Sequence, residues 1–414
     1  MSYQVSPKIR NALEALTSQE RVQKALAFQE QDQEEIVQKQ MELTLIPAPT
    51  YHEEKKAARL LEMFRAEGLT DCHMDEYGNA VAVRKGTGEG KPILLEGHMD
   101  TVFPLDTELK ITREDGWIYC PGITDDTRGL VEVLSVIRAL NAAGIQTRGD
   151  IQVAGTVQEE GLGGLKGMDY YVTHHPELGA SVSVDGPGWF GCQYRATAIQ
   201  TVEVTFHGKG GHAYMAFGKV ANPIHAAARA VAKIAEIRVP DSPRATFAVS
   251  NFHAGNMSAV HAIVDTASFV VNYRANTVKD LNELHDQIFA AVDAACREET
   301  DRWGQDEITY TLNWICQVGT GEQDEHAPIV ECAVAASQFL GVAEPKLPED
   351  GCTNANRAIE HGLPAVCLGT EDYDPRVHTL RERFREKDAF KGAQQALLVA
   401  LLCAGTGDVE SILN

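Results

Sequence analysis

The sequence predicts an α/β fold in which a mostly parallel sheet is interrupted by a smaller, ferredoxin-like α+β domain. Three observations support this prediction. Short apolar runs alternate with helical patterns through much of the chain, which is typical of an α/β sheet. From about residue 196, strands with alternating apolar and polar residues replace those runs. At 414 residues, the chain is also long enough for two domains.

Three strands of the α/β part end next to charged residues. The apolar run at 92–95 leads to His98, and the run at 151–156 leads to a pair of glutamates. The run at 181–184 ends at Asp185. Because open α/β sheets bind ligands beyond the carboxyl ends of their strands, we expect these side chains in one crevice.

The remaining elements of this part flank those strands. Residues 1–40 are polar and rich in Gln and Glu, and they predict an N-terminal helical extension. Thr50 and Glu53 have the spacing of a capping box at the start of the next helix. A helix near 328–340, a strand at 364–368 and a final helix resume the α/β domain.

The inserted segment has the order βαββαβ, which suits a ferredoxin-like sandwich. Its first helix is expected to begin with Asn222 as N-cap and Pro223 at the first helical position. Two strands follow around 246–251 and 263–274, and the second helix opens at Asp280. The predicted domains are 1–40, 41–195 with 318–414, and 196–317.

The composition argues against several classes of partner. A net charge of −22 argues against nucleic acid or an anionic membrane as the main partner. No signal peptide and no apolar run of about eighteen residues are visible, so no membrane span is expected. The nine cysteines form no CxxC pair, which favours free thiols in a reducing cytoplasm.

Candidate residues for a metal site occur in five separate segments. They are His98 with Asp100, Asp125, Glu159 with Glu160, Asp185 and His378. Histidine and carboxylate ligands make a site suited to zinc, cobalt or manganese. One carboxylate can bridge two metals about 3.5–4 Å apart, which polarise a carbonyl and lower the pKa of a shared water. A second carboxylate can accept the proton of that water and pass it to a leaving amine.

The order of these motifs points to a known family. EGHMDTV, PGITDDTRG, TVQEEGLGG, SVDGPG and YDPRVHT together resemble the metallopeptidase family of aminoacylase, acetylornithine deacetylase, succinyl-diaminopimelate desuccinylase, glutamate carboxypeptidase and tripeptidase T. The resemblance covers about residues 36–410. It implies a dinuclear-metal catalytic domain with an inserted dimerisation domain, and a homodimer. It also implies two divalent metal ions per subunit, with zinc as the expected metal and cobalt or manganese as alternatives.

The resemblance also implies a role for each metal-binding residue. His98 and Asp185 would ligate one metal. Glu160 and His378 would ligate the second, with Asp125 as the bridge between them.

Three further residues would serve catalysis. Asp100 would orient the His98 imidazole through its other nitrogen. Glu159 would be the general base and later the acid. His212, in the GKGGHA segment, would reach into the partner subunit's active site and stabilise the tetrahedral oxyanion.

The resemblance also implies three substrate-binding residues, which are Asn256, Arg274 and Asn354.

The chain departs from the family pattern at three places. Many members follow the bridging aspartate with an acidic or apolar residue and then Lys-Gly, whereas this chain reads Asp126-Thr127-Arg128-Gly129. This difference leaves Asp126 as an alternative bridge. Asn354 stands where aspartate is frequent, and Ala259 stands where proline is usual.

The expected function is hydrolysis of a peptide or N-acyl amide bond in a small molecule or short peptide. The EEGLGGLKG stretch resembles the tripeptidase version of its motif, which favours a short-peptide aminopeptidase. The alternatives are an N-acyl-amino-acid deacylase or carboxypeptidase, and a hydrolytic deaminase of a non-peptide amine. A non-catalytic ligand-binding member is a further alternative, which would predict loss of a ligand or of the base.

Overall fold

The computed structural model describes residues 3–188, 190–304, 307–348, 351–371 and 374–413. The chain forms two compact units. The discontinuous unit comprises Met1–Ala196 and Gly321–Asn414, and the inserted unit comprises Thr197–Thr320. Each unit has an apolar core of its own.

The strands of the described residues are β1 (Thr70–Met74), β2 (Ala80–Arg84), β3 (Ile93–His98), β4 (Thr112–Glu114), β5 (Trp117–Tyr119), β6 (Ile151–Thr156), β7 (Ala180–Pro187), β8 (Cys192–Gln193), β9 (Ala198–His207), β10 (Gly211–His212), β11 (Ala245–Ala254), β12 (Ala262–Ile263), β13 (Thr266–Ala275), β14 (Thr309–Val318), β15 (Ala365–Glu371) and β16 (Arg383–Arg385).

The helices of the described residues are α1 (Pro7–Thr17), α2 (Glu20–Gln31), α3 (Gln33–Thr44), α4 (Glu54–Ala66), α5 (Thr127–Ala143), α6 (Lys166–His174), α7 (Pro223–Ala235), α8 (Val278–Trp303), α9 (Pro328–Phe339), α10 (Ala355–Glu360) and α11 (Phe390–Ala404). Among these helices, none combines the length and the apolar character needed to cross a bilayer.

The main sheet of the discontinuous unit has seven strands in the order β1-β2-β6-β3-β7-β15-β8. The central strands β6, β3, β7 and β15 run parallel. The pairs at the two edges are antiparallel. The predicted mostly parallel sheet is confirmed, and the carboxyl ends of β3, β6 and β7 lie at the same edge of it.

The N-terminal helices belong to the core of the discontinuous unit. Ile9 of α1, Val22 of α2 and Leu43 of α3 are all fully or almost fully buried in that core. Helix α5 is buried on nearly all sides between the sheet and its neighbouring helices. Each buried leucine or isoleucine contributes about 1.5–3 kcal/mol relative to an exposed one. The N-terminal helices therefore stabilise the helices α5, α9 and α11 against which they pack.

The inserted unit has a four-stranded antiparallel sheet in the order β11-β13-β9-β14. Helices α7 and α8 supply the apolar side chains that cover it. This order confirms the ferredoxin-like expectation. Helix α7 begins as predicted, with the Asn222 side chain accepting the N–H of Ile224 and Pro223 at the first helical position. The expected strand at 263–274 is split into β12 and β13.

The predicted capping box at Thr50 and Glu53 is wrong. Helix α4 begins at Glu54 without a side-chain cap. The Thr50 hydroxyl instead donates to Asp100 over 2.8 Å, and the Glu53 carboxylate accepts the backbone N–H of Gln158 over 3.0 Å. Both side chains are used in contacts with distant segments, which a local pattern of residues does not reveal.

Candidate metal centre

Polar side chains at the carboxyl edge of the main sheet line a cavity of about 400 Å³. Its described lining consists of Thr124, Asp125, Glu159, Glu160, Asp185, Gly186, Cys352, Thr353, Thr370, Asp374, Pro375, Val377 and His378. Three of the five ligand-bearing segments lie at strand ends: His98 is the last residue of β3, the pair Glu159-Glu160 follows β6, and Asp185 lies near the end of β7. Tyr373 of the YDPRVHT motif lies outside the described residues.

Asp125 lies between the buried His98 and His378, which lines the cavity. Its Oδ1 is 3.0 Å from Nε2 of His98, and its Oδ2 is 2.8 Å from Nε2 of His378. Burial opposes ionisation, but the hydrogen bonds from His378 and His98 hold the pKa of Asp125 well below its usual value. In turn, hydrogen bonds to Asp125 and Glu160 raise the pKa of His378 to about 11. One carboxylate thus presents an oxygen to each of two imidazoles.

Two further carboxylates complete the surroundings of these histidines. Glu160 lies 2.9 Å from Nε2 of His378, and Asp185 lies 3.6 Å from Nε2 of His98. Ligand atoms of His98, Asp125 and Glu160 lie within 4.8 Å of one another. The structure therefore brings together all five residues that were expected to bind metal.

The donor set fits divalent cations. Burial raises the pKa of Glu159 well above its usual value and that of Asp185 to about 6, so these carboxylates are poorly stabilised as anions by the protein alone. Although burial acts in the opposite direction, the charges of Asp185 and Glu159 raise the pKa of His98. Nitrogen and oxygen donors around such concentrated negative charge suit zinc, cobalt or manganese.

Asp126 is turned away from the cavity. Its Oδ2 accepts the backbone N–H of His98 over 2.9 Å, and its Oδ1 accepts that of Gly129 over 3.0 Å, which caps α5. A Cβ atom on Gly129 would lie 1.8 Å from the carbonyl oxygen of Val184, so only glycine fits at this close approach. With both oxygens bonded to the backbone, Asp126 is less suited than Asp125 to bridge metals, although it lies near His98 and Asp185.

Asp100 connects His98 to the loop that follows β6. The Nδ1 atom of His98 is 3.0 Å from the backbone oxygen of Asp100 and 3.5 Å from its carboxylate. The carboxylate accepts the backbone N–H groups of Glu159 and Glu160, each over 2.9 Å, and the hydroxyl of Thr50. Holding Nδ1 in this way leaves Nε2 of His98 free to ligate a metal.

Glu382 is a supporting residue that sequence reasoning missed. Its carboxylate accepts the N–H and the hydroxyl of Thr124 and the N–H of Asp125, over 2.7–3.2 Å. It lies four residues after His378, so a search for carboxylates next to the ligand motifs could have found it. Behind the site, the buried Lys56 faces several of these carboxylates, and burial lowers its pKa to about 8.

In the inserted unit, His212 lies in the short two-stranded sheet β10-β12 and has an exposed side chain. Its Nδ1 accepts the backbone N–H groups of Tyr214 and Met215 at 3.2 and 3.4 Å. In a neutral imidazole whose Nδ1 accepts, Nε2 carries the proton. The ring is therefore held as a donor at Nε2.

The three expected substrate-binding residues lie in different surroundings. Asn256 accepts the N–H of Ser258 in an exposed loop of the inserted unit. Arg274 is exposed near the C-terminal end of β13. Asn354 is 1% exposed, and neighbouring residues rather than Asn354 line the cavity. Its amide nitrogen donates to Glu96 and to the hydroxyl of Thr156. Asn354 therefore fixes the segment that carries the lining residues Cys352 and Thr353.

A crevice lined by carboxylates and His378, with His98 buried beside it, at the carboxyl edge of a parallel sheet is typical of a metal-dependent hydrolase. The model of peptidase family M20/M25/M40 matches residues 94–401, and the chain belongs to this family.

Individual relatives agree with this assignment. Succinyl-diaminopimelate desuccinylase of Corynebacterium glutamicum is 26% identical over 339 residues, which cover 79% of this chain and 86% of that protein. The crystal structure of aminopeptidase PepT from Bacillus cereus is similar with a TM-score of 0.74 and 24% identity, over 89% of this chain and 97% of that one. A tripeptidase from Staphylococcus aureus gives a TM-score of 0.73 and 23% identity over the same shares.

Proposed function

We propose that this protein cleaves an amide bond of a short peptide, as an aminopeptidase that uses two divalent metal ions and Glu159 as the general base. The observation that carries the proposal is the place of Asp125, whose two oxygens each face one histidine. This arrangement supports Asp125 as the bridging ligand, with His98 and Asp185 on one side and Glu160 and His378 on the other. Zinc is the expected metal, and the donor set also accepts cobalt or manganese.

The contacts of the two adjacent glutamates support a division of tasks. Glu160 lies 2.9 Å from His378, and this distance supports Glu160 as a ligand. The Glu159 carboxylate lines the same cavity, 3.9 Å from His98, and accepts no hydrogen bond from the described residues. Glu159 is thus free to act on a water molecule in the cavity.

The reaction follows from these positions. When bound, two divalent cations polarise the scissile carbonyl and lower the pKa of the attacking water. Glu159 accepts the proton of that water and then delivers it to the nitrogen of the leaving amine. Asp100 holds the His98 ring and the backbone of Glu159 in place throughout.

The lining of the cavity favours the amino end of a peptide. Among the described lining residues, there is no lysine or arginine that could meet a substrate carboxylate. Asp374 lies in the same wall and accepts hydrogen bonds from Arg376 and Arg383. A deacylase that acts on an N-acyl amino acid is the second candidate, because the desuccinylase relative is 26% identical to this chain.

The proposal includes a homodimer, in which His212 of one subunit serves the active site of the other. Its Nε2–H tautomer is the one required to donate a hydrogen bond to an oxyanion. The exposed side chains of Tyr214, Met215 and Phe217 next to it support an interface at this segment. A location in the reducing cytoplasm stays a prediction; all nine cysteines are free in the structure.

The test combines metal content per subunit with activity on tripeptides, dipeptides, N-acyl amino acids and aromatic amines, before and after chelation. We expect about two metals per chain, turnover of tripeptides, and recovery of activity with zinc, cobalt or manganese. Turnover of N-acyl amino acids alone would replace the aminopeptidase with the deacylase. Absence of bound metal and of turnover after metal is added would contradict the catalytic proposal.

A further inference from the structure

The loop that carries the proposed base is fixed through its backbone. Four consecutive N–H groups each donate to a side-chain oxygen from another segment. The pairs are Val157 with Asn79 (3.0 Å), Gln158 with Glu53 (3.0 Å), Glu159 with Asp100 (2.9 Å) and Glu160 with Asp100 (2.9 Å). These four hydrogen bonds fix the path of the loop backbone, and the backbone in turn sets the direction in which the glutamate side chains point.

Gln158, directly before the base, has an unusual backbone conformation. Its φ angle is +59°, in the left-handed region that residues with a Cβ atom rarely adopt. Besides the bond from its N–H to Glu53, its side-chain oxygen accepts the hydroxyl of Tyr77 over 3.2 Å, and its carbonyl accepts the N–H of Leu165 over 3.0 Å. A disfavoured conformation persists only where surrounding contacts hold it.

Glu53 is well placed to provide that hold. It is 4% exposed and directly precedes helix α4, whose rigid backbone fixes the position of its carboxylate. It does not line the cavity, so it cannot act on the substrate itself. The adjacent Glu54 is exposed.

We propose that Glu53 is a positioning residue for the general base, because its carboxylate holds Gln158 in the left-handed conformation that directs Glu159 into the cavity. This inference rests on the proposed function, since it takes Glu159 as the base. It predicts that the contribution of Glu53 depends on the conformational preference of residue 158.

Four variants test the first part of the inference in the metal-loaded protein. Glu53→Ala removes the acceptor, and kcat should fall about tenfold with unchanged KM and metal content, because a small displacement of a catalytic group costs up to about 10²-fold in rate. Glu53→Gln keeps an acceptor oxygen and should retain most of kcat. Glu53→Asp withdraws the oxygen by about 1.5 Å, and its kcat should lie between those of Glu53→Ala and Glu53→Gln. This variant replaces Glu53→Ala in the test if Glu53→Ala folds poorly. Glu54→Ala is the matched control and should behave as the parent protein.

A double-mutant cycle tests the second part. Glycine adopts positive φ without a steric cost, so Gln158→Gly should make the acceptor at residue 53 less necessary. In that background, the loss of kcat caused by Glu53→Ala (or by Glu53→Asp) should shrink from about tenfold to about twofold. An equal loss in both backgrounds would overturn the inference, as would a loss that appears only in metal content or in Tm.

Glu159→Gln, measured in parallel, separates failure of this inference from failure of the proposed function. If Glu159→Gln retains kcat with metal bound, the assignment of the base is wrong. If Glu159→Gln is inactive while Glu53→Ala retains kcat, only the positioning role of Glu53 is wrong.

Discussion

Asp126 accepts the backbone N–H of His98 over 2.9 Å, while Asp125 faces the ring of the same histidine. Two adjacent aspartates therefore hold the same histidine in different ways. Asp126 fixes the backbone of His98, whereas Asp125 contacts the His98 ring with one oxygen and the His378 ring with the other.

This difference predicts opposite results for the two amide variants. Asp125→Asn should lose at least one of the two metals per chain, because an amide binds divalent cations more weakly than a bridging carboxylate. Asp126→Asn should keep both metals and lose about 1 kcal/mol of unfolding free energy, because one buried backbone N–H loses its acceptor. Metal analysis and denaturant titration measure both quantities. The reverse pattern of metal loss would identify Asp126 as the bridge.

Glu159→Gln should lower kcat by about 10²–10⁴-fold with metal content unchanged, because it removes the proton acceptor and leaves the ligands intact. Steady-state kinetics on a tripeptide and metal analysis of the same sample provide the measurement. Glu160→Gln is the matched comparison and should also lose metal, since Glu160 lies 2.9 Å from His378. Full activity of Glu159→Gln with metal bound would exclude it as the base.

His212→Ala should lower kcat by about 10²–10³-fold without loss of metal, as expected for removal of an oxyanion donor. His207→Ala, at the end of the preceding strand β9, is the control and should have little effect. Equal loss of activity and metal in His212→Ala would contradict its assigned role.

Mixed dimers test whether His212 acts on the partner's site. Subunits carrying Glu159→Gln and subunits carrying His212→Ala are each inactive, but a hybrid dimer contains one site with both groups intact. Random reassociation should restore about a quarter of the parent activity, because half of the dimers are hybrid and half of their sites are complete. No recovery would mean that His212 serves its own subunit.

Metal binding should release protons and strengthen as pH rises. Hydrogen bonds to Asp125 and Glu160 raise the pKa of His378 to about 11 in the metal-free site, so its ring is protonated at neutral pH and must lose a proton to ligate. The free form then holds more protons than the bound form, and affinity increases between pH 6 and pH 8. Calorimetric titration in buffers of different ionisation enthalpy counts the protons. Equal affinity at both pH values would contradict this linkage.

Arg128→Met should lower the free energy of unfolding by about 3–5 kcal/mol, because it leaves Glu132 buried without its partner. Arg128 is 1% exposed and donates to Glu132 over 2.8 Å. Arg113→Met is the control: Arg113 is half exposed in its pair with Glu386, and its loss should cost less than about 1 kcal/mol. Denaturant unfolding of the two variants compares them directly. Equal effects would mean that burial of the Arg128 pair has no consequence for stability.

The parts of the molecule that could be predicted depend on short-range rules. Parallel strands place their carboxyl ends at one edge, so His98 and Asp185 could be assigned to one crevice before their distance was known. The start of α7 at Asn222 and Pro223 follows from the backbone preferences of two adjacent residues.

The parts that could not be predicted depend on partners far away in the sequence. Thr50 and Glu53 have a pattern that fits a helix cap equally well, and only the fold shows that they bond Asp100 and Gln158. Asn354 was expected at the substrate, yet it is enclosed by Glu96 and Thr156. A sequence motif identifies a wall of the cavity without saying which side chain faces inward.

The placement of the inserted unit between Asp185 and His378 has a consequence for biosynthesis. As the chain leaves the ribosome, His98, Asp125, Glu160 and Asp185 emerge first, and His378 follows only after the whole inserted unit has been translated. Until then, Asp125 has one of its two imidazoles and Glu160 has none. If these residues bind metal as proposed, a site that needs His378 together with Asp125 and Glu160 can form only after the inserted unit has been translated.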